Sequence, residues 1–583
     1  MTETTKNKGL NFALLKRILS YIRSYKLLFF GALTITLLLS ALSIVRPVLI
    51  NKALNSFVVS NSTDELNNYA LLILGFLIFE ALAQILNIRF TNLLGQNIIF
   101  DLRNQVYKHL ISLKNAYFDN TPVGMLVTRS ISDIESLSEV FSQGFIMILG
   151  DLLMLIIFIA AMFWSNWVLA LMALSTIPLL FIATALFKRG IKKTFTMVRN
   201  AVSDLNTFAQ ERITGMKLVQ LFNREKEEFE NFKEINNKHR QANIQSIFYY
   251  SVFFPVVDIL SSVSIALVIW FAGVKSNVYQ ISLGDITFFV MMVNMIFRPI
   301  RMLADRLNTL QMGIVAAERV FKILDTDEKI ENTGTIPFTG VKNKIEFKNV
   351  YFSYNPNFEV LNALNLSVNA GETIALVGST GSGKTTVINL LSRFYEKTKG
   401  EILIDEIMLE NYDLSSLRLN TGVVLQDVHL FNDTLLNNIT LKNPDYSLSQ
   451  VEEATREIGL MDFVDELPGG FNYQVTERGQ GLSAGQRQLV AFIRAYIYNP
   501  ALFVLDEATA AIDSKTEQLI QKASEKLASG RTSIIIAHRL STIKHVNCIY
   551  VFEKGKVIES GTLNQLLEQN GYFKKLYETS SDA

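Results

Sequence analysis

The stretch Gly378-Ser379-Thr380-Gly381-Ser382-Gly383-Lys384-Thr385-Thr386 follows the apolar run Thr373-Ile-Ala-Leu-Val377 and precedes the helical pattern Val387-Ile-Asn-Leu-Leu391. Glycine, four residues, then Gly-Lys-Thr, set between a strand and a helix, is the pattern of a phosphate-binding turn. Its glycines let backbone N–H groups curl around phosphate oxygens, and the following helix N-terminus adds a favourable dipole. Lys384 has the reach for β- and γ-phosphates, and Thr385 offers a hydroxyl to Mg²⁺. The bland alternative is a glycine-rich turn with no ligand, and the flanking strand and helix weigh against it. A bound nucleoside triphosphate is the expectation.

Outward from this turn, 583 residues are too many for one core, so several domains are expected. Hydrophobic residues make up 49% of the chain, 40 of them Phe, and mean hydropathy is +0.25, all high for a soluble protein. The net charge of +1 gives no electrostatic preference for nucleic acid, which is not an expected partner. A single cysteine, Cys548, rules out an intramolecular disulfide and a cysteine zinc cluster.

Six apolar segments precede the turn: Leu27–Ile50, Tyr69–Phe90, Val140–Trp164, Trp167–Phe187, Ser246–Val274 and Ile286–Ile300. A bilayer core about 30 Å thick needs about 20 helical residues, which the first five supply; the sixth is interrupted at Arg298-Pro299-Ile300-Arg301. Basic residues crowd the N-terminus, Arg103–Arg129 and Lys188–Arg240, whereas Asn51–Asn68, Ser165-Asn166 and Lys275–Gly284 hold only Lys52 and Lys275. The positive-inside rule then puts both termini and the two long, helical loops in the cytoplasm. Ahead of the first segment, Leu10–Ile22 reads as an amphipathic helix on the inner membrane surface or a cytosolic surface helix. Glu80, Arg89, Asp151 and Asp258 fall inside apolar segments, where each needs a cavity or a partner. The expected division is a membrane domain over 1–324, a Gly- and Pro-containing linker over 325–344, and an α/β domain with a mixed sheet over 345–583.

Downstream, Ala501-Leu-Phe-Val-Leu505 is a buried-strand pattern ending in Asp506-Glu507, two carboxylates placed for Mg²⁺ capture and water activation. Thr532-Ser-Ile-Ile-Ile-Ala537 repeats the pattern and ends in His538. The segment Leu482-Ser483-Ala484-Gly485-Gln486-Arg487-Gln488 completes a set that resembles the ATP-binding cassette (ABC) transporters over nearly the whole chain. It resembles an exporter-type half-transporter, six transmembrane helices extended into the cytoplasm followed by one α/β P-loop cassette. The family's Leu-Ser-Gly-Gly-Gln signature stands here as Leu-Ser-Ala-Gly-Gln.

The resemblance implies further roles. Tyr354 stacks on adenine; Gln426 senses Mg²⁺, which Thr385 and Asp506 also hold; Glu507 is the general base and His538 the switch histidine. Thr476-Glu-Arg-Gly-Gln480 touches the opposite subunit, and Asp513, in Ala510-Ala-Ile-Asp513, belongs to a loop crossing the dimer interface. Ser483, Ala484, Gly485 and Gln486 face the ATP held by the partner chain. Segments near Ala116–Pro122 and Glu211–Val219 are the coupling helices. With one P-loop and one signature the chain must dimerise; a homodimer is favoured by symmetry, and a heterodimer with a second half-transporter is the alternative. Ala484 and Ala511-Ile512 depart from the family pattern and leave that choice open. The implied activity is ATP-driven export or flipping of hydrophobic or amphipathic molecules by alternating access across the inner membrane of a bacterium. An ATP-gated channel, an importer and a soluble ATPase are the competing classes; the apolar segments exclude the last, and intact Glu507 and His538 weigh against the first.

Overall fold

The computed structural model describes residues 12–60, 63–279, 281–506, 513–537 and 540–581. Contacts define two compact units, one from the N-terminal part to Ile111 with Gly124–Thr326, the other from Ser112–Val123 with Asp327 onward.

The first unit is helical. In chain order it contains α1 (Phe12–Ser20), α2 (Lys26–Leu42), α3 (Val45–Ser60) and α4 (Thr63–Leu110). Helix α5 (Asn115–Asn120) belongs to the other unit. The first unit resumes through short α- and π-turns into α6 (Ile146–Ser165), α7 (Trp167–Leu174), α8 (Ile177–Thr214), α9 (Glu225–Tyr279) and α10 (Leu283–Leu324). Six helical spans among the described residues are long and apolar enough to cross a membrane. Helix α4 has 48 residues, about 70 Å at 1.5 Å per residue, more than twice a bilayer core.

Several local expectations change. Asn51–Asn68, read as a loop, is helical through Ser60 and again from Thr63. Pro299 does not end the sixth segment, because α10 carries it as an internal residue and runs on to Leu324. The N-terminal helix packs part of its apolar face on protein, with Leu14, Leu15 and Leu19 half-buried. Ile18 is fully buried, Arg17 pairs with Asp325 at 2.7 Å, and its guanidinium lies 4.2 Å from the Phe321 ring centroid at the end of α10. Within the expected helical loops, Leu102, Val106 and Leu110 are buried, whereas Phe222 and Phe229 are exposed.

Close packing in this unit rests on small residues, which let helix backbones approach. Ala32, Thr36 and Ser40 line one face of α2, Ser40 Oγ donates to the Gly150 carbonyl at 2.9 Å, and a Cβ on Gly150 would stand 2.5 Å from Thr36 Cγ2. At its first turn α10 has a Ser282/Asp285 capping box, and Asn51 of α3 donates to Asp285 at 3.1 Å. Phe158, Met162, Phe253, Phe289 and Met292 lie in the core.

The second unit is built on two sheets. Strands β1 (Lys344–Phe352), β2 (Leu361–Asn369), β4 (Lys399–Ile404) and β5 (Ile407–Met408) form an antiparallel sheet in the order β2-β1-β4-β5. The second sheet contains β3 (Thr373–Gly378), β6 (Thr421–Val424), β7 (Leu502–Asp506), β8 (Thr532–Ile536), β9 (Cys548–Glu553) and β10 (Lys556–Gly561), in the order β10-β9-β3-β8-β7-β6. All its pairings are parallel except β9 with β10. This is the mixed sheet that the alternating runs predict. Strands β7 and β8 are buried throughout, which is why Leu502–Leu505 and Ile534–Ile536 read as apolar runs without alternation. Three helices matter for the site: α11 (Lys384–Leu391), α12 (Ala484–Ile497) and α13 (Ser514–Ala528).

Candidate functional site

Register fixes the site. Ile536 of β8 pairs with Leu376 of β3 on one side and with Asp506 of β7 on the other. The phosphate-binding turn after β3 and the carboxylate ending β7 therefore emerge at one edge of the sheet, flanking the end of β8. The carboxyl ends of parallel strands are where ligands bind in such sheets.

The turn needs its glycines. Gly383 has φ +104 just before α11, and a Cβ there would lie 2.7 Å from Leu361 Cδ2. Gly378 has φ +153, and its Cβ would stand 2.3 Å from the Phe552 carbonyl oxygen. Lys384, only 5% exposed, donates through Nζ to the carbonyls of Gly378 and Ser379, both at 2.8 Å. Burial lowers its pKa, and the nearby Asp506 carboxylate opposes that shift. Thr385 Oγ1 donates to Asp506 Oδ2 at 3.1 Å, so the hydroxyl and carboxylate expected at a divalent cation are brought together. Gln426 is exposed, two residues beyond β6, the strand that pairs with β7. Ser379, Thr380 and Gly381 are in the turn, and Ser382 Oγ accepts from Lys384 at 3.4 Å.

Tyr354 is half exposed at 46% and its hydroxyl is anchored on α11: Asn389 Nδ2 donates to it at 2.9 Å, and Thr386 Oγ1 lies 3.2 Å away. Sequence reading missed Asn389; its signal is a carboxamide one turn after the P-loop threonines. It also missed Tyr395, whose ring meets Tyr354 edge-on at 4.9 Å.

The signature lies at the N-terminus of α12, packed on the unit's second core. Ser483 Oγ accepts from Gln486 N–H at 3.1 Å and Gln486 Oε1 accepts from Ser483 N–H at 2.9 Å, a complete capping box. Ala484 is exposed in the first helical turn and Gly485 is buried. The backbone at 484 is helical, so alanine there carries no conformational penalty. Among the described residues, no hydrogen bond joins this turn to the chain's own P-loop. Asp513 caps α13, its carboxylate accepting from Thr516 N–H at 2.9 Å, which lowers its pKa. Glu507, Ala510, Ala511, Ile512 and His538 lie outside the described residues.

In the membrane unit, Asp151 of α6 pairs with Arg306 of α10. Arg89 and Asp258 are exposed and Glu80 is half-buried. Arg46 is a further ionisable residue in the first apolar segment that sequence reading passed over; its Nε is buried.

A phosphate-binding turn facing a strand-end carboxylate, behind six membrane-length helices, defines a membrane-embedded nucleotide-driven machine. The chain matches the ABC transporter transmembrane region over residues 29–300 and the ABC transporter domain over residues 361–510. It is 35% identical over 572 residues to the uncharacterized ABC transporter ATP-binding protein YknV of Bacillus subtilis, covering 98% of this chain and 95% of that one. The ATP-dependent lipid A-core flippase of Pseudoalteromonas translucida is 32% identical, with 96% and 97% covered. A probable multidrug resistance ABC transporter, YheH of B. subtilis, is 33% identical, with 86% and 75% covered. The chain belongs to the ABC transporter family. It is a half-transporter of the exporter type, a multi-pass membrane protein that binds and hydrolyses ATP.

Proposed function

We propose that two copies of this chain form a pump that exports or flips hydrophobic or amphipathic molecules across the inner membrane of a bacterium by alternating access. The observation that carries the reading is the 3.1 Å contact of Thr385 with Asp506 beside Lys384, at the carboxyl edge of the parallel sheet. Hard oxygen donors of this kind suit Mg²⁺, and Thr385, Asp506 and Gln426 are the residues that would hold it. Tyr354 carries the adenine, and residues 378–386 cradle the phosphates. Glu507 is the general base that activates the attacking water, and His538 contacts the γ-phosphate.

Each ATP lies between one chain's P-loop and the partner's signature turn at Ser483–Gln486. The positive end of α12, with the N–H groups of Ala484 and Gly485, suits a γ-phosphate. Asp513 belongs to the loop that crosses between the two cassettes. Closure around ATP supplies the binding energy that turns the membrane helices outward, and hydrolysis resets them. The short helix Met216–Leu221 leaves Leu218, Leu221 and neighbouring Phe222 exposed, an apolar tip that a second chain can cover. Helix α5 and this tip are the coupling elements. The flippase and multidrug relatives support an amphipathic substrate.

The test is ATP turnover by the chain purified alone in lipid nanodiscs, with particle mass measured and Glu507→Gln as control. A dimer of identical chains with turnover lost in Glu507→Gln is the expected result. An inactive monomer or dimer would favour the heterodimer, and rapid turnover by Glu507→Gln would remove Glu507 as the base.

A further inference from the structure

Helix α5 lies between two membrane segments in sequence but packs with the nucleotide-binding unit. Lys114 N–H donates to the Glu328 carbonyl at 2.8 Å, and Leu113 bridges to Lys329. Lys114 Nζ is 3.9 Å from Glu396, an exposed pair that contributes little by itself. The decisive contact is at the neighbouring residue, where the Tyr395 hydroxyl donates to the Asp119 carboxylate.

Tyr395 has a second face. Its ring meets Tyr354 edge-on, with centroids 4.9 Å apart and planes at 87°, and Phe352 closes the group at 4.7 Å from Tyr354 and 5.7 Å from Tyr395. Tyr354 is thus fixed at its hydroxyl by Asn389 and Thr386 of α11 and at its ring by Tyr395. Two orthogonal ring contacts leave Tyr354 little freedom to tilt unless Tyr395 moves. Tyr395 in turn is held by a charge-assisted hydrogen bond to α5. Burial and then Asp119 push the Tyr395 phenol above its ordinary range, so it remains a donor at neutral pH.

We infer that Tyr395 is a positioning residue that makes the aromatic platform of Tyr354 depend on where Asp119 of α5 stands, so that this cytoplasmic loop senses the nucleobase of ATP rather than its phosphates. The inference rests on the proposed role of Tyr354 as the adenine platform. Linkage makes the coupling reciprocal: a displacement of α5 that breaks the Asp119–Tyr395 bond weakens ATP binding, and bound ATP resists that displacement by the same factor.

The test compares ATP with inorganic tripolyphosphate, which keeps the phosphate chain and lacks the base. In nanodiscs, KM and kcat for ATP and inhibition by tripolyphosphate are measured for the native chain, Tyr395→Phe, Asp119→Ala, the double variant and Tyr354→Ala. Tyr395→Phe keeps the ring and its volume, so it separates the hydrogen bond from packing. Each single variant is expected to raise KM for ATP about fivefold or more. The double variant should be no worse than either, kcat should change little, and tripolyphosphate should inhibit unchanged. Parallel weakening of tripolyphosphate, or a fall in kcat at constant KM, would overturn the inference. If Tyr354→Ala raises KM and the other variants do not, the relay fails while the platform stands. If Tyr354→Ala leaves KM unchanged, the platform reading itself fails.

Discussion

Lys384 and Arg306 are both sheltered cations near a carboxylate, and the two units hold them differently. Lys384 is fixed by two backbone carbonyls of its own turn, with Asp506 opposite. Among the described residues, Arg306 is held by the side chain of Asp151, from another helix 155 residues away in sequence. Backbone fixation demands particular residue types at fixed spacing, whereas a side-chain pair across helices demands only complementary charge at the meeting point. The cassette therefore carries its chemistry as a motif, and the membrane unit carries its own as packing.

The sharpest way to break this contrast is Asp151→Asn. Removing one partner of a sheltered ion pair strands the other charge and costs about 3–5 kcal/mol. The thermal unfolding midpoint of the membrane unit should fall, and Asp151→Asn combined with Arg306→Met should recover most of it while nucleotide binding stays intact. Failure of the double variant to recover would mean that the pair does more than satisfy itself. Lys384→Ala should do the reverse, leaving the midpoint nearly unchanged and cutting ATP turnover by about 10²–10³-fold, the scale of losing one preorganised charge at a phosphate.

A smaller effect separates the two roles of Ser483. Ser483→Ala removes a helix cap and should cost about 1 kcal/mol of cassette stability. Ser483→Asp keeps a capping oxygen but sets a negative charge where the partner's phosphate is proposed to lie, so turnover should fall while the midpoint holds. The smallest expected effect is at Asp433, whose carboxyl is lowered to about 2 by Asn437, then Lys442, then the Thr434 N–H. A depressed carboxyl contributes its stability fully above the ordinary aspartate range, and that contribution is lost as pH falls through about 2. Circular dichroism against pH should show Asp433→Asn less acid-sensitive than the native chain between about 4 and about 2.

Legibility in the sequence follows the same contrast. The six spans, the turn at 378–386 and the strand ending in Asp506 are readable because membrane thickness, phosphate geometry and strand burial each impose a pattern on consecutive residues. The N-terminal helix is legible as amphipathic, but an amphipathic face looks the same whether lipid or α10 covers it. Helix α5 belongs with the cassette through Leu113, Lys114 and Asp119, contacts that no local pattern announces. Tyr395 and Asn389 escaped for the same reason: an aromatic and an amide near a P-loop helix become meaningful only when Tyr354, about 40 residues upstream in β1's continuation, is folded against them. The capping box of Ser483 and Gln486 was in plain view at a spacing of three, behind the stronger signal of the signature itself.

The most direct test of the account is complementation between two defective chains. Lys384→Ala protein retains an intact signature turn, and Ser483→Asp protein retains an intact P-loop. Composite sites built head to tail predict that each variant alone hydrolyses almost no ATP and that co-reconstituting them in nanodiscs restores Glu507-dependent turnover, because the mixed pair contains one complete site. A mixture as inactive as either variant alone, with mixed dimers demonstrably formed, would contradict it.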